Sequence, residues 1–198
     1  MKAGLPVPRL ALALFAVALL ALTAVASFVH FADWYGSWGE TTRALDASTV
    51  LTYPLTAAAS AWFAGTAKRQ RFIWLIDSSA RDRFQLYGRL VLRVTLAAAA
   101  GALAAAIVVQ TWTATEANYG HPDVLSTLVM LCGFAAAAAF GAALAVLLPA
   151  VMAPVAAVLA LYGCTVIINA SNPAVYPLLG LSVADSRERT YRETAPTS

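Results

Sequence analysis

The side chains best suited to chemistry in this chain are concentrated in one short basic segment. Lys68, Arg69 and Arg71 stand close together and are followed at once by the apolar and aromatic stretch 72–76. Cations beside Phe and Trp suit binding to an anionic surface or to a groove on a partner, rather than covalent catalysis. The predicted site residues are therefore docking residues: Lys68, Arg69, Arg71, Phe72, Trp74, Leu75, Ile76 and Arg81.

Motifs for covalent or metal chemistry are missing from the sequence. It contains no P-loop, H-E-x-x-H, G-x-S-x-G or C-x-x-C. Asp77 and Asp82 lack the repeated, helically spaced aspartates that a two-metal site needs. His30 and His121 lie on separate segments, which makes them a weak metal signal. We therefore expect no catalytic residue, no metal and no cofactor, and a protein that is not itself an enzyme.

Composition places the chain among membrane proteins. Its 198 residues are 61% hydrophobic and 12% charged, with a mean hydropathy of +0.72, whereas soluble domains are about one quarter charged. Basic residues that flank apolar spans orient a protein in the bilayer, so the net charge of +3 does not indicate a nucleic-acid partner. Cys132 and Cys164 fall inside apolar runs and are expected to be small buried side chains.

Five apolar runs meet or approach the roughly 20 residues that a membrane helix needs. They are residues 10–31, 47–67, 94–112, 124–148 and 150–168. The predicted fold is an all-α integral membrane protein with about five transmembrane helices and one short amphipathic cytoplasmic helix. The first run could instead be a signal peptide, but its length of about 20 residues exceeds the usual apolar core of such peptides. Pro149 and Pro154 predict a tight turn over 148–152.

The distribution of Lys and Arg predicts the orientation. The segments between the first and second runs and between the third and fourth runs contain one basic residue, Arg43. The positive-inside rule therefore places the N-terminus and residues 68–93 in the cytoplasm. Asp46 counts with the outer loop, so no buried ion site is expected. The opposite segments hold nine basic residues: Lys2, Arg9, Lys68, Arg69, Arg71, Arg81, Arg83, Arg89 and Arg93.

Residues 1–183 are expected to form a single transmembrane domain, followed by a polar, flexible tail at 184–198. The apolar stretch 174–183 is too short to cross a bilayer. The last three runs are rich in Ala and Gly at four-residue spacing, including Gly101, Gly133 and Gly141. Small residues at this spacing let helix backbones approach, so they predict a closely packed bundle or a dimer.

Several motifs over about residues 35–165 resemble the ABC-2-type permease subunits of high-GC bacteria. Ala61-Trp62-Phe63-Ala64-Gly65 precedes the basic run, as in that family, and 78–81 stands where the family has a Thr-Pro-Arg-type break. The outer loop 113–122 is similar to the family's Thr-Ala…Gly-x-Pro loop. The stretch 147–158 is similar to its Pro…Ala-Pro-Leu-Ala-Ala stretch. The family has six spans, whereas this sequence has five.

The resemblance implies a permease-like subunit of an ATP-binding-cassette exporter in the bacterial cell membrane. Its partners would be a separate cytoplasmic ATPase, a second copy or a related permease subunit, and membrane lipids. Residues 68–83 would then contact the ATPase, with the short apolar helix at 72–76 as the coupling helix. Two alternatives stay open: the segment could be an interfacial helix on anionic lipid, and the protein could be a non-transporting scaffold or regulatory subunit. A membrane-embedded enzyme is a third, weaker interpretation.

Overall fold

The computed structural model describes residues 9–28, 37–66, 83–116 and 123–171. Within these ranges the chain forms five α-helices and no β-strand, which confirms the predicted all-α class for this part of the protein. The helices are α1 (Arg9–Phe28), α2 (Trp38–Ala64), α3 (Arg83–Glu116), α4 (Val124–Leu147) and α5 (Met152–Ser171).

Three stretches in the described part of the chain are long and apolar enough to cross a membrane. They are Arg9–Phe28, Tyr87–Thr115 and Val124–Leu147, in α1, α3 and α4. Helix α2 has 27 residues but is interrupted by charged and hydroxyl side chains. In α5 the apolar helix is the shorter stretch Met152–Thr165. The fold is therefore a helical bundle compatible with a membrane protein.

The helices alternate in direction along the chain. The ring of Phe28, at the end of α1, packs edge-on against Trp112 near the end of α3, with ring centroids 6.0 Å apart. The hydroxyl of Thr41, in the first turn of α2, lies 2.8 Å from the hydroxyl of Thr113. Because the ends of α1 and α3 meet the start of α2, both helices run antiparallel to α2.

The two ends of the bundle differ in charge. We call the end formed by the starts of α2 and α4 the acidic end, and the opposite end the basic end. Charged residues at the acidic end are Glu40, Arg43, Asp46, Glu116 and Asp123. Those at the basic end are Arg9, Arg83, Arg89 and Arg93. The asymmetry in the sequence therefore corresponds to two opposite ends of one folded unit.

Helix α2 lies at the centre and packs against each of the other four helices. On one side Leu45 clusters with Ala106 and Val109 of α3. On the other side Ala61 belongs to a cluster with alanines of α4 and α5, among them Ala153. The helix with the most polar sequence of the five is thus the one that the others surround.

Glycines allow the closest approaches between helices. A Cβ atom at Gly141 of α4 would overlap the backbone carbonyl of Ala57 in α2, and one at Gly101 of α3 would overlap the carbonyl of Ala16 in α1. Without a side chain the two backbones can come together and gain dispersion contacts. The small-residue motifs predicted from the sequence are therefore used for packing within the chain.

The turn between α4 and α5 is as tight as its prolines predict. The amides of Met152 and Ala153 both donate to the carbonyl of Pro149, at 2.9 and 3.1 Å. Pro154 falls in the first turn of α5, where its missing N–H leaves no helical bond unmade. This confirms the predicted hairpin at 148–152.

Packing at Gly141 can be tested against a matched glycine. Gly141→Ala should destabilise the purified protein by about 1–3 kcal/mol, because the new methyl group meets rigid backbone. Gly163→Ala is the control: nothing lies within 4 Å of a Cβ added there, and both changes share the same gain in helix propensity. Thermal unfolding in detergent measures the difference. Equal melting temperatures for the two variants would contradict the close approach of α2 and α4.

Candidate functional site

Four hydroxyl side chains follow one ridge of α2 at four-residue spacing. Ser48, Thr52, Thr56 and Ser60 are each at most 2% exposed, and we call them the hydroxyl ladder. Residues four apart lie above one another on a helix, so the ladder forms a buried polar line through an otherwise alanine-rich interior. The apolar helices around it give the ladder its membrane-like surroundings.

The ladder is satisfied by carbonyls of the helices themselves. Ser48, Thr52 and Thr56 donate to carbonyls three or four residues earlier, at 2.6, 3.1 and 2.7 Å. Ser60 instead crosses to α4 and donates to the carbonyl of Ala138 at 2.7 Å. Back-bonding of this kind lets Ser and Thr lie inside an apolar bundle without an unpaired donor.

A second cross-link joins α2 to α4 about two helical turns from Ser60. The Tyr53 hydroxyl donates to the carbonyl of Met130 at 3.1 Å, and its ring meets Phe134 edge-on with centroids 5.0 Å apart. Gly133 makes room for this ring, since a Cβ there would overlap the phenol. Tyr53 and Ser60 therefore hold α2 and α4 together at two levels.

The acidic end holds a buried carboxylate. Asp46 is only 8% exposed, and the hydroxyl of Ser126 in α4 lies 3.4 and 3.5 Å from its two carboxylate oxygens. Asp123 caps α4 by accepting from the amides of Leu125 and Ser126, at 3.0 and 3.3 Å. Ser126 thus bridges two carboxylates, one through its hydroxyl and one through its amide.

These two carboxylates line a small cleft between α2, α3 and α4, which we call the acidic cleft. Its cavity volume of about 10 Å³ is close to the smallest that can hold one water molecule. None of the residues that line it is basic. The lining residues are Thr42, Leu45, Asp46, Ala106, Gln110, Asp123, Ser126, Thr127 and Met130.

Burial of Asp46 corrects the sequence prediction. The outer loop was expected to extend to residue 46, but α2 begins at Trp38 and carries Asp46 into the bundle. Hydroxyl and apolar residues at positions 41, 45, 48, 49 and 52 repeat every three or four residues, which is a helical signal. That spacing could have identified the earlier helix start, because Ser37 and Glu40 are also typical of a helix N-terminus.

The cysteine prediction was wrong. Cys132 and Cys164 were expected to be buried, but both are free and exposed on the outside of the bundle. Within the described ranges, no group of three or more His, Cys, Asp or Glu side chains is arranged to hold a metal.

The predicted docking residues all lie outside the described residues, between the end of α2 and the start of α3. They are Lys68, Arg69, Arg71, Phe72, Trp74, Leu75, Ile76 and Arg81. The described residues on either side, Thr66 and Arg83, both lie at the basic end.

Comparison with known proteins gives no relative: no family model, no curated protein and no solved structure matches this chain. What the described part of the chain defines is a class: a helical bundle in which three helices are long and apolar enough to cross a membrane and a polar helix lies at the centre.

The Tyr53 cross-link can be tested with a conservative pair of variants. Tyr53→Phe should lower stability by about 0.6 kcal/mol, the average for hydrogen bonds between membrane helices, because it removes only the hydroxyl that reaches Met130. Tyr162→Phe removes the same atom from a side chain that is 46% exposed and should change little. Chemical denaturation in detergent measures both. A larger loss for Tyr162→Phe would contradict the cross-link.

Proposed function

We propose that this chain is a permease-like membrane subunit of an ATP-driven exporter. In this proposal all five helices span the bacterial cell membrane, the basic end faces the cytoplasm, and a separate ATPase binds below. The chain supplies part of the substrate path and no nucleotide site of its own. A second copy or a related permease subunit completes the path.

The observation that supports this proposal best is the position of α2. A subunit that only anchors other proteins needs no polar interior, whereas a path for polar cargo needs polar groups that face inward. Helix α2 has the hydroxyl ladder along its length and Asp46 near its acidic end, both shielded from the lipid-facing surface. The ladder is closed in this conformation, so transport would require α2 to separate from α4 or α5.

The coupling proposal rests on the basic segment. The segment 68–81 begins four residues after α2 ends at Ala64, so a push on the segment would be transmitted to the helix that carries the ladder. A non-transporting scaffold or regulatory subunit is the alternative. The polar centre of the bundle favours the permease, and the ATPase experiment below separates the two.

The orientation predicts which positions a membrane-impermeant thiol reagent can reach. We expect Ser37→Cys and Asn118→Cys to be labelled from outside intact cells and Ser78→Cys only after lysis. The background should lack Cys132 and Cys164, which are exposed on the bundle and removable without opening its interior. Labelling of position 78 but not of position 37 in intact cells would reverse the orientation.

The coupling proposal predicts that Trp74→Ala releases the ATPase. A buried aromatic anchor contributes roughly 2 kcal/mol or more to an interface, and this change removes nothing from the described bundle. Joint replacement of Lys68, Arg69 and Arg71 by Gln should weaken the complex less and chiefly change its salt dependence, because rim charges are screened. Pull-down of the ATPase from detergent extracts measures each effect.

If the joint Gln replacement has a larger effect than Trp74→Ala, the segment is a helix bound to lipid, since each basic residue contributes about 1 kcal/mol near anionic lipid. If no ATPase is recovered with the unmodified chain, or if Trp74→Ala retains it fully, the exporter proposal fails and the scaffold alternative replaces it.

A further inference from the structure

Helices α1 and α3 lie side by side and run in the same direction. In the middle of the pair, the carbonyl of Ala16 in α1 comes so close to Gly101 of α3 that a Cβ atom there would overlap it. At the acidic end, the ring of Phe28 meets that of Trp112. The partners are offset by almost the same number of positions at both contacts, so the two helices stay in register along their length.

This register brings three arginines together at the basic end. Arg9 precedes Ala16 by about two helical turns and Arg93 precedes Gly101 by slightly more, so the two arginines are nearly level. Arg89 lies one turn beyond Arg93 on the same ridge of α3. All three side chains are exposed, and we call them the arginine cluster.

The described part of the chain supplies no counter-charge to the arginine cluster. Within it, none of the three arginines forms an ion pair or a hydrogen bond. The first turns of α1 and α3, where acidic side chains would be favoured, contain none. Every acidic residue in the described ranges lies at the opposite end of the bundle: Glu40, Asp46, Glu116 and Asp123.

The arginine cluster lies at the depth of lipid phosphates when α1 and α3 cross a bilayer. Arg9 precedes Phe28, and Arg93 precedes Trp112, by the same number of residues, which corresponds to about 28 Å of helix. This length is close to the thickness of the hydrocarbon core, roughly 30 Å. With the aromatic pair at one interface, Arg9 and Arg93 reach the other, and Arg89 lies one turn further into the headgroup region.

Apolar side chains continue the outer surface from the arginine cluster towards the middle of the bundle. Val17 and Leu20 of α1 and Leu96 of α3 are all exposed. An acyl chain that lies along this surface keeps its headgroup beside the arginines. Guanidinium groups suit such a headgroup, because their planar donors match the oxygens of a phosphate in pairs.

We propose that the arginine cluster binds the headgroup of one anionic phospholipid. Arg9 and Arg93 contact the phosphate from two helices, Arg89 adds a third positive charge, and the acyl chains lie along the apolar surface beside them. The depth of the cluster and this surface favour a lipid over a free phosphate ion. The proposal rests on one part of the proposed function, that α1 and α3 span the membrane, and is independent of transport and of any ATPase.

The test uses the purified full-length chain in neutral detergent, stripped of the lipid that purifies with it. Native mass spectrometry follows titration with phosphatidylglycerol or with phosphatidylcholine of the same acyl chains. We expect one phosphatidylglycerol to bind per chain, about tenfold more tightly than phosphatidylcholine, because only phosphatidylglycerol carries a net negative charge. Inorganic phosphate at millimolar concentration should not displace it, since the free ion gains no apolar contact.

Variants distinguish one shared site from general attraction to a basic surface. Arg9→Gln and Arg93→Gln should each weaken phosphatidylglycerol binding about tenfold. The double variant should lose less than the product of the two effects, because both side chains contact one phosphate. Arg43→Gln, at the acidic end and paired with Glu40 in the parent, is the matched control and should bind lipid as the parent does. Melting temperatures without lipid should stay unchanged, because the clustered arginines are exposed.

Three results would overturn the site. One is equal affinity for the two lipids. Another is a pair of single variants that bind as the parent does or whose effects multiply fully, which would indicate independent surface charges. The third is displacement of the lipid by inorganic phosphate, which would indicate a site for a free ion. Recovery of the chain from cells without detergent would refute the spanning helices and the proposed function together, whereas failure to recover an ATPase would leave this site standing.

Discussion

The structure depends on the way α2 satisfies its own polar groups. Each unpaired hydroxyl in an apolar interior would cost about 1–3 kcal/mol, and the hydroxyl ladder alone places four of them at most 2% exposed. Back-bonding to α2 carbonyls removes that cost for three, and the bond from Ser60 to Ala138 removes it for the fourth. A polar helix can therefore occupy the centre while apolar helices surround it.

Small apolar side chains lie inside this bundle and many large ones lie outside, whereas the core of a soluble protein is filled with large ones. Most buried apolar residues are alanines, such as Ala57, Ala98 and Ala138, while many large ones, such as Leu147 and Leu159, point outward. Lipid solvates large apolar chains as well as an interior does, so burying them gains little. Small residues instead bring backbones together, and Gly101 and Gly141 mark where that approach is closest.

This distribution explains which features the sequence could predict. Helices α1, α3 and α4 were predictable because long apolar runs need no partner to be recognised. The exposed positions of Cys132 and Cys164 were not, because in a membrane bundle apolar character does not distinguish the interior from the lipid face. The burial of Asp46 was missed for a related reason. The charged composition of the stretch before residue 47 indicated a loop, whereas the helical spacing of its residues, which is a weaker signal, indicated that α2 had already begun.

The central position of α2 also constrains how the protein is made. A membrane accepts a helix during synthesis according to its apolar character, and an Asp within a helix opposes insertion. Among the described helices, α2 is made before α4 and α5, which pack against it. If α2 spans the membrane, as the exporter proposal has it, its stable insertion depends on helices that are made after it. The burial of the polar centre would then be a late step in the assembly of the bundle.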